Sequence, residues 1–74
     1  MKIKINLDTQ SAAVRLVGLA TRLSEQVVLT DGSGMRVSAK SMLGAIYAAF
    51  DFNEVWFETE NDHYFLFKDF MAEE

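Results

Sequence analysis

The sequence predicts a small α+β domain, with four short strands in one antiparallel sheet and helices laid on one of its faces. Three observations carry that expectation. Apolar–polar alternation, the period of a half-buried strand, is strict at Lys2–Leu7 and recurs at Glu54–Thr59 with Trp56 as an apolar outlier on the outward side. Stretches with apolar residues at helical spacing separate the strand-like runs, each preceded by a short polar residue able to cap a helix. The segment Asp31-Gly-Ser-Gly34 lies between two further strand-like runs, and its glycines permit the positive φ angles of a tight hairpin connection.

Lys2 to Leu7 sets Ile3, Ile5 and Leu7 on one face and Lys2, Lys4 and Asn6 on the other. Asp8 and Thr9 follow as N-cap candidates, since a short side-chain oxygen accepts a bond from an unpaired N–H of the first helical turn. The next helix presents Ala13, Leu16, Val17, Ala20 and Leu23 to the sheet and keeps Arg15 and Arg22 in water. Gly18 weakens it by about 1 kcal/mol relative to Ala, and a close approach by a neighbouring element is the expected return. Gln26–Thr30 and Met35–Ala39 form the hairpin strands. Ser41 caps a second helix running to about Phe50, whose inward face is expected to hold Met42, Ala45, Ile46 and Ala49. Asp51 to Asn53 turn the chain into a fourth strand with Val55 and Phe57 inward. Asn61-Asp62 introduces a last helix from His63 to about Met71, carrying Tyr64, Phe67, Phe70 and Met71. The element order is βαββαβα.

One sheet face is left to water, bearing Lys2, Lys4, Val28, Thr30, Arg36, Ser38, Glu54, Trp56 and Glu58. If the first and fourth strands are neighbours, Lys2 and Lys4 lie across from Glu54, Trp56 or Glu58, and opposite charges there contribute roughly 0.2–1 kcal/mol per pair.

Seventy-four residues make one domain near the lower size limit for a core without disulfides or metals. Half are hydrophobic and nine are aromatic, enough for a compact core. Cysteine is absent, which excludes disulfides and thiolate metal sites, and the lone His63 cannot hold zinc by itself. A net charge of −4 with scattered basic residues gives no electrostatic footprint for nucleic acid. No apolar run approaches the roughly 20 residues of a membrane span, and Met-Lys-Ile-Lys does not form a signal-peptide core. A cytoplasmic protein without metal or cofactor is expected.

The segment Ser38-Ala-Lys-Ser-Met-Leu-Gly44 resembles the join between the third strand and second helix of the HPr family, the phosphocarrier proteins of the bacterial phosphoenolpyruvate-dependent sugar phosphotransferase system. It lies at the same place in the element order, and the length, the hairpin and the short second helix are also similar. The resemblance covers residues 1–74 as a single HPr-like domain, although only that segment is specific and the last helix is shorter. It implies an open-faced β-sandwich with four antiparallel strands and helices on one face.

In that family a histidine ahead of the first helix carries the phosphoryl group, with an arginine and a proline close behind. The matching stretch here is Leu7-Asp-Thr-Gln-Ser-Ala-Ala-Val14, in which the phosphoacceptor position falls on Asp8, Thr9 or Gln10 depending on register, on Gln10 by the ungapped motif and on Thr9 by the core residues of the first helix; neither of these two registers supplies the arginine or the proline. Phosphohistidine transfer needs a nucleophilic ring nitrogen, which a hydroxyl or an amide does not provide. No enzymatic activity is expected. Asp8 lacks the metal and lysine that acyl-phosphate chemistry requires and is read as a cap carboxylate, and His63 as a surface or capping residue.

The same resemblance marks Ser41 as a regulatory phosphorylation site. A phosphate there meets the free N–H groups and dipole of a helix N-terminus, whereas a plain serine cap is worth around 1 kcal/mol. A catabolite-repression paralogue in the family pairs this serine with glutamine at the histidine position, a combination similar to Gln10 with Ser41. The family's docking surface maps onto Met42, Leu43, Ile46 and Tyr47, with Arg15 and Leu19 of the first helix beside them. The implied function is a protein-binding or regulatory module related to sugar transport, meeting a phosphotransferase-system enzyme or a transcriptional regulator. A homodimer through this patch, the last helix or Trp56 is the other interaction open to it.

The alternative is a ferredoxin-like α+β module that binds a small ligand or associates with itself. Strand order separates the two. A ferredoxin-like sheet has strands one and three at its centre, whereas an HPr-like sheet has one beside four and three at an edge beside two.

Overall fold

The computed structural model describes residues 1–70. Its elements are β1 (Lys2–Ile5), α1 (Gln10–Ala20), β2 (Val28–Thr30), β3 (Arg36–Ser38), α2 (Met42–Asp51), β4 (Val55–Glu58) and α3 (Tyr64–Phe67), the last continuing as a 3₁₀ turn over Lys68–Phe70. The four strands form one antiparallel sheet in the order β1-β4-β2-β3. Strands four and two are therefore central, which is not the ferredoxin-like arrangement.

The pleat fixes what faces the helices. Ile5, Leu29, Val55 and Phe57 are buried and share one core with Ala13, Leu16, Val17 and Ala20 of α1, Ala45 and Ala48 of α2, and Phe67 and Phe70. Both lysines of β1 point away from it, with Lys2 opposite Glu58 and Lys4 opposite Trp56. Lys4 Nζ lies 3.6 Å from Glu54, Arg36 lies 3.5 Å from Glu58, and Lys2 sits over the Trp56 ring at 5.6 Å. The indole N–H of Trp56 donates to Glu54 at 3.0 Å. This wet face thus satisfies its own charges and covers its tryptophan. Thr30 departs from expectation in being buried.

The hairpin loop closes as its glycines foretell, with φ of +85° at Gly32 and +121° at Gly34. Asp31 Oδ1 accepts from the N–H groups of Ser33 and Met35, at 2.8 and 3.2 Å, and the Ser33 bond is the main reason its carboxyl is held below the usual range.

Two helical expectations need correction. A Cβ at Gly18 would meet nothing within 4 Å, so that glycine admits no neighbour. The close approach is at Gly44, where a Cβ would lie 2.9 Å from the Ser38 carbonyl oxygen. The last helix is a single α turn before its 3₁₀ continuation, because the core takes Phe67 and Phe70 while Phe65 is left 83 % exposed. Phe67 stacks on Phe57 with centroids 4.1 Å apart, and the Phe70 carbonyl accepts from Asn6 N–H at 2.6 Å, tying this segment to the exit of β1. Met71 lies outside the described residues. None of the described helices is long and apolar enough to cross a membrane.

Candidate functional site

Helices α1 and α2 pack together and run antiparallel. Lys40, just before α2, donates to the carbonyl of Leu23 beyond the end of α1, while Leu7 and Asp8 share a cleft with Ala49 and Phe52 at the other end. This places the two positions singled out by the resemblance at opposite ends of the helix pair. A helix of this length spans about 15 Å, which is the scale of their separation.

At one end Thr9, and not Asp8, is the N-cap of α1. Its Oγ1 accepts from Ala12 N–H at 3.0 Å, the bond of a structural cap. Gln10 is the first helical residue, and Asp8 and Gln10 are both exposed.

At the other end Ser41 is the N-cap of α2, with Oγ accepting from Gly44 N–H at 3.1 Å. The first turn of α2 carries no acidic residue, so beyond the neutral Ser41 cap no carboxylate within that turn offsets the positive end of the helix dipole. Met42 and Leu43 follow directly and are 41 % and 81 % exposed. Met42 was expected on the inward face; that face consists instead of Ala45 and Ala48 with Ala49 and Ile46 half-buried beside them. Tyr47 is partly exposed and meets Phe52 edge-on at 5.7 Å.

The two α1 residues behave differently. Leu19 is half-buried against the core. The exposed Arg15 guanidinium lies 5.2 Å over the Phe70 ring, a cation–π contact with the 3₁₀ turn. Phe50, which sequence reasoning passed over, is 67 % exposed. Its signal was present in the sequence. Leu43, Tyr47 and Phe50 fall at i, i+4 and i+7, one stripe of a helix, diametrically opposite the alanines.

A second cluster was missed altogether. The Glu25 carboxylate accepts from the backbone N–H groups of Glu60 and Asn61, at 2.8 and 3.2 Å, and from the Asn61 side chain at 2.7 Å. His63 Nε2 lies 2.9 Å from its other contact atom, Oε2. The His63 and Asn61 side-chain bonds are the leading causes that hold the Glu25 carboxyl down to about 2. His63 makes no side-chain capping bond to α3. The pair therefore clamps the α1–β2 loop to the β4–α3 loop. A chain separation of 38 residues hides such a partnership from sequence periodicity.

A cleft of about 360 Å³ beside this clamp is lined by Glu25, Glu58 and Glu60, with Arg36 paired to Glu58. Among the described residues no group of three or more His, Cys, Asp or Glu side chains is placed to hold a metal ion. Comparison of the chain with protein-family models, with curated proteins and with solved structures returns no match.

Proposed function

We propose that this chain is an HPr-like protein-binding module of the sugar phosphotransferase system that lacks the histidine phosphocarrier site and meets its partners through the start of α2. The observation that carries the reading is the exposure of Leu43, with Met42, directly beside the Ser41 cap. An apolar pair at a polar helix start is the kind of surface a protein partner covers. The strand order β1-β4-β2-β3 supports the HPr-like scaffold.

Phosphorylation of Ser41 is the control this reading assigns. The hydroxyl is exposed, and a phosphate there would keep the capping role with more charge. Because Ser41 and the Thr9–Gln10 position stand at opposite ends of the helix pair, the modification acts on the α2 surface and not on the degenerate phosphoacceptor position.

The test is titration of the ¹⁵N-labelled chain with the general phosphotransferase enzyme, followed by addition of phosphoenolpyruvate. Amide shifts at Met42, Leu43 and Tyr47 with no phosphoryl label on the chain are expected. Transfer of label, or shifts confined to the Lys2–Trp56 face, refutes the proposal.

A further inference from the structure

We infer that α2 also serves as a self-association face, pairing with α2 of a second copy in an antiparallel, twofold arrangement. The inference rests on the same α2 surface as the docking reading but extends along the helix to Phe50. Its basis is that the surface is complementary to itself.

Leu43, Tyr47 and Phe50 form one outward stripe, respectively 81 %, 42 % and 67 % exposed, and no residue from Ser41 to Phe50 is charged. Charge is confined to the two ends. At the start of α2 stand the positive end of its dipole, Lys40 and, at the close of α1, Arg22. Glu25 lies near that end, but its carboxylate is turned to Glu60, Asn61 and His63. At the finish of α2 stand the negative end of the dipole, Asp51 and, at the entry to α1, Asp8. Lys4 and Glu54 line the same cleft and are paired with each other at 3.6 Å.

A twofold axis through the middle of the stripe, near Tyr47, reverses one copy on the other. Leu43 of each copy then meets Phe50 of its mate, the dipoles oppose, and Asp51 of each faces the positive end of the other, which has only the neutral Ser41 cap. This is the self-matching that an isologous interface requires. A parallel pairing sets like ends together. One helix face is smaller than the roughly 800 Å² per partner of a standard interface, so the dimer is expected to depend on concentration.

Sedimentation equilibrium of the full chain over a concentration series tests the inference, with circular dichroism as the check on folding. Both stripe positions are exposed, so Leu43→Glu and Phe50→Lys are expected to fold. Each alone should weaken the dimer by at least about tenfold, the loss of one buried apolar contact at each of two symmetric junctions. An equimolar mixture of the two variants should regain association, since one junction then holds a Glu–Lys pair and the other keeps native Leu43 against Phe50. A protein that stays monomeric throughout the series, a dimer that ignores both variants, or a mixture no tighter than its components overturns the proposal. The titration with the general phosphotransferase enzyme reads partner docking separately, so either reading can fail while the other stands.

Discussion

The two helical glycines supply a paired test, because identical substitutions should move stability in opposite directions. Gly18 lies in the interior of α1, exposed, with nothing within 4 Å of the place a Cβ would occupy. Gly18→Ala therefore gains helix propensity and loses unfolded-state freedom without a clash, worth about 0.4–1 kcal/mol. Gly44 sits in the first turn of α2, where the new Cβ would stand 2.9 Å from the Ser38 carbonyl oxygen and 3.4 Å from Val37 Cβ. The nearest atom belongs to the backbone of the strand end, so either α2 or β3 has to move. Overpacking of that kind costs about 1–3 kcal/mol. Set against the same propensity gain, Gly44→Ala is expected to be destabilising by roughly 0.5–2 kcal/mol. Urea unfolding, followed by the fluorescence of the single Trp56 and by circular dichroism, reads both. In a domain of this size 1 kcal/mol corresponds to about 4–8 °C in Tm, well within detection. Shifts of the same sign in both variants would refute the packing described for α2 on β3.

Three further outcomes follow from the contacts. Ser41→Ala removes the acceptor of the Gly44 N–H and should cost about 1 kcal/mol, whereas Ser41→Asp should be near neutral because aspartate caps equally well at a helix start free of other carboxylates; thermal melts of the two variants check it. Phe67→Ala empties the site stacked on Phe57 and should cost about 3–5 kcal/mol, a large part of the roughly 4–11 kcal/mol expected for 74 residues, so calorimetry should find the variant unfolded or nearly so at 37 °C. Glu25 has its folded carboxyl held at about 2 against an ordinary value of 4.5, so its contribution is complete above pH 4.5 and is lost as pH falls through 2; Glu25→Gln should be less stable at pH 7 and show a shallower acid limb in denaturation between those values.

What the sequence made legible was whatever a period or a local cap encodes. The alternation of Ile3 and Ile5 and of Val55 and Phe57 identified two strands and their inward faces, and the charges of Lys4 and Glu54 anticipated that those strands would lie side by side. Thr9 and Ser41 were readable as cap positions because the capping bond spans only three residues. The last helix was overextended because aromatic residues at helical spacing look alike whether the turn is α or 3₁₀; burial of Phe67 and Phe70 on the sheet decided it. Arg15 and Glu25 were illegible for a different reason. Their partners, Phe70 and the Glu60–His63 loop, are brought to them only by the closure of the sheet. Of the candidate site, Leu43 was legible only as one residue of the docking surface that the resemblance implies, and the reach of the stripe to Phe50 depended on knowing which side of α2 faces the core.

That side is the telling one. A domain of 74 residues needs large apolar side chains inside, where each contributes about 1.5–3 kcal/mol. Helix α2 reverses the usual order of sizes, with Ala45 and Ala48 buried and Leu43, Tyr47 and Phe50 outward. The alanines, together with Gly44 over Ser38, let α2 sit close to β3 and α1, so the inner layer is filled without large side chains from this helix. Leu43 and Phe50 then add nothing to the monomer's core that a polar residue would take away. Exchanging either for a polar residue should therefore leave monomer stability within about 0.5 kcal/mol, as for ordinary surface sites. A helix apolar on both sides is the pattern of one that is buried on both sides, and in this chain only the lower side is covered by the chain itself among the described residues. The cost of leaving the upper side in water is the physical ground for expecting a partner there, and the charges at the two ends of the stripe are the ground for expecting that partner to include a second copy.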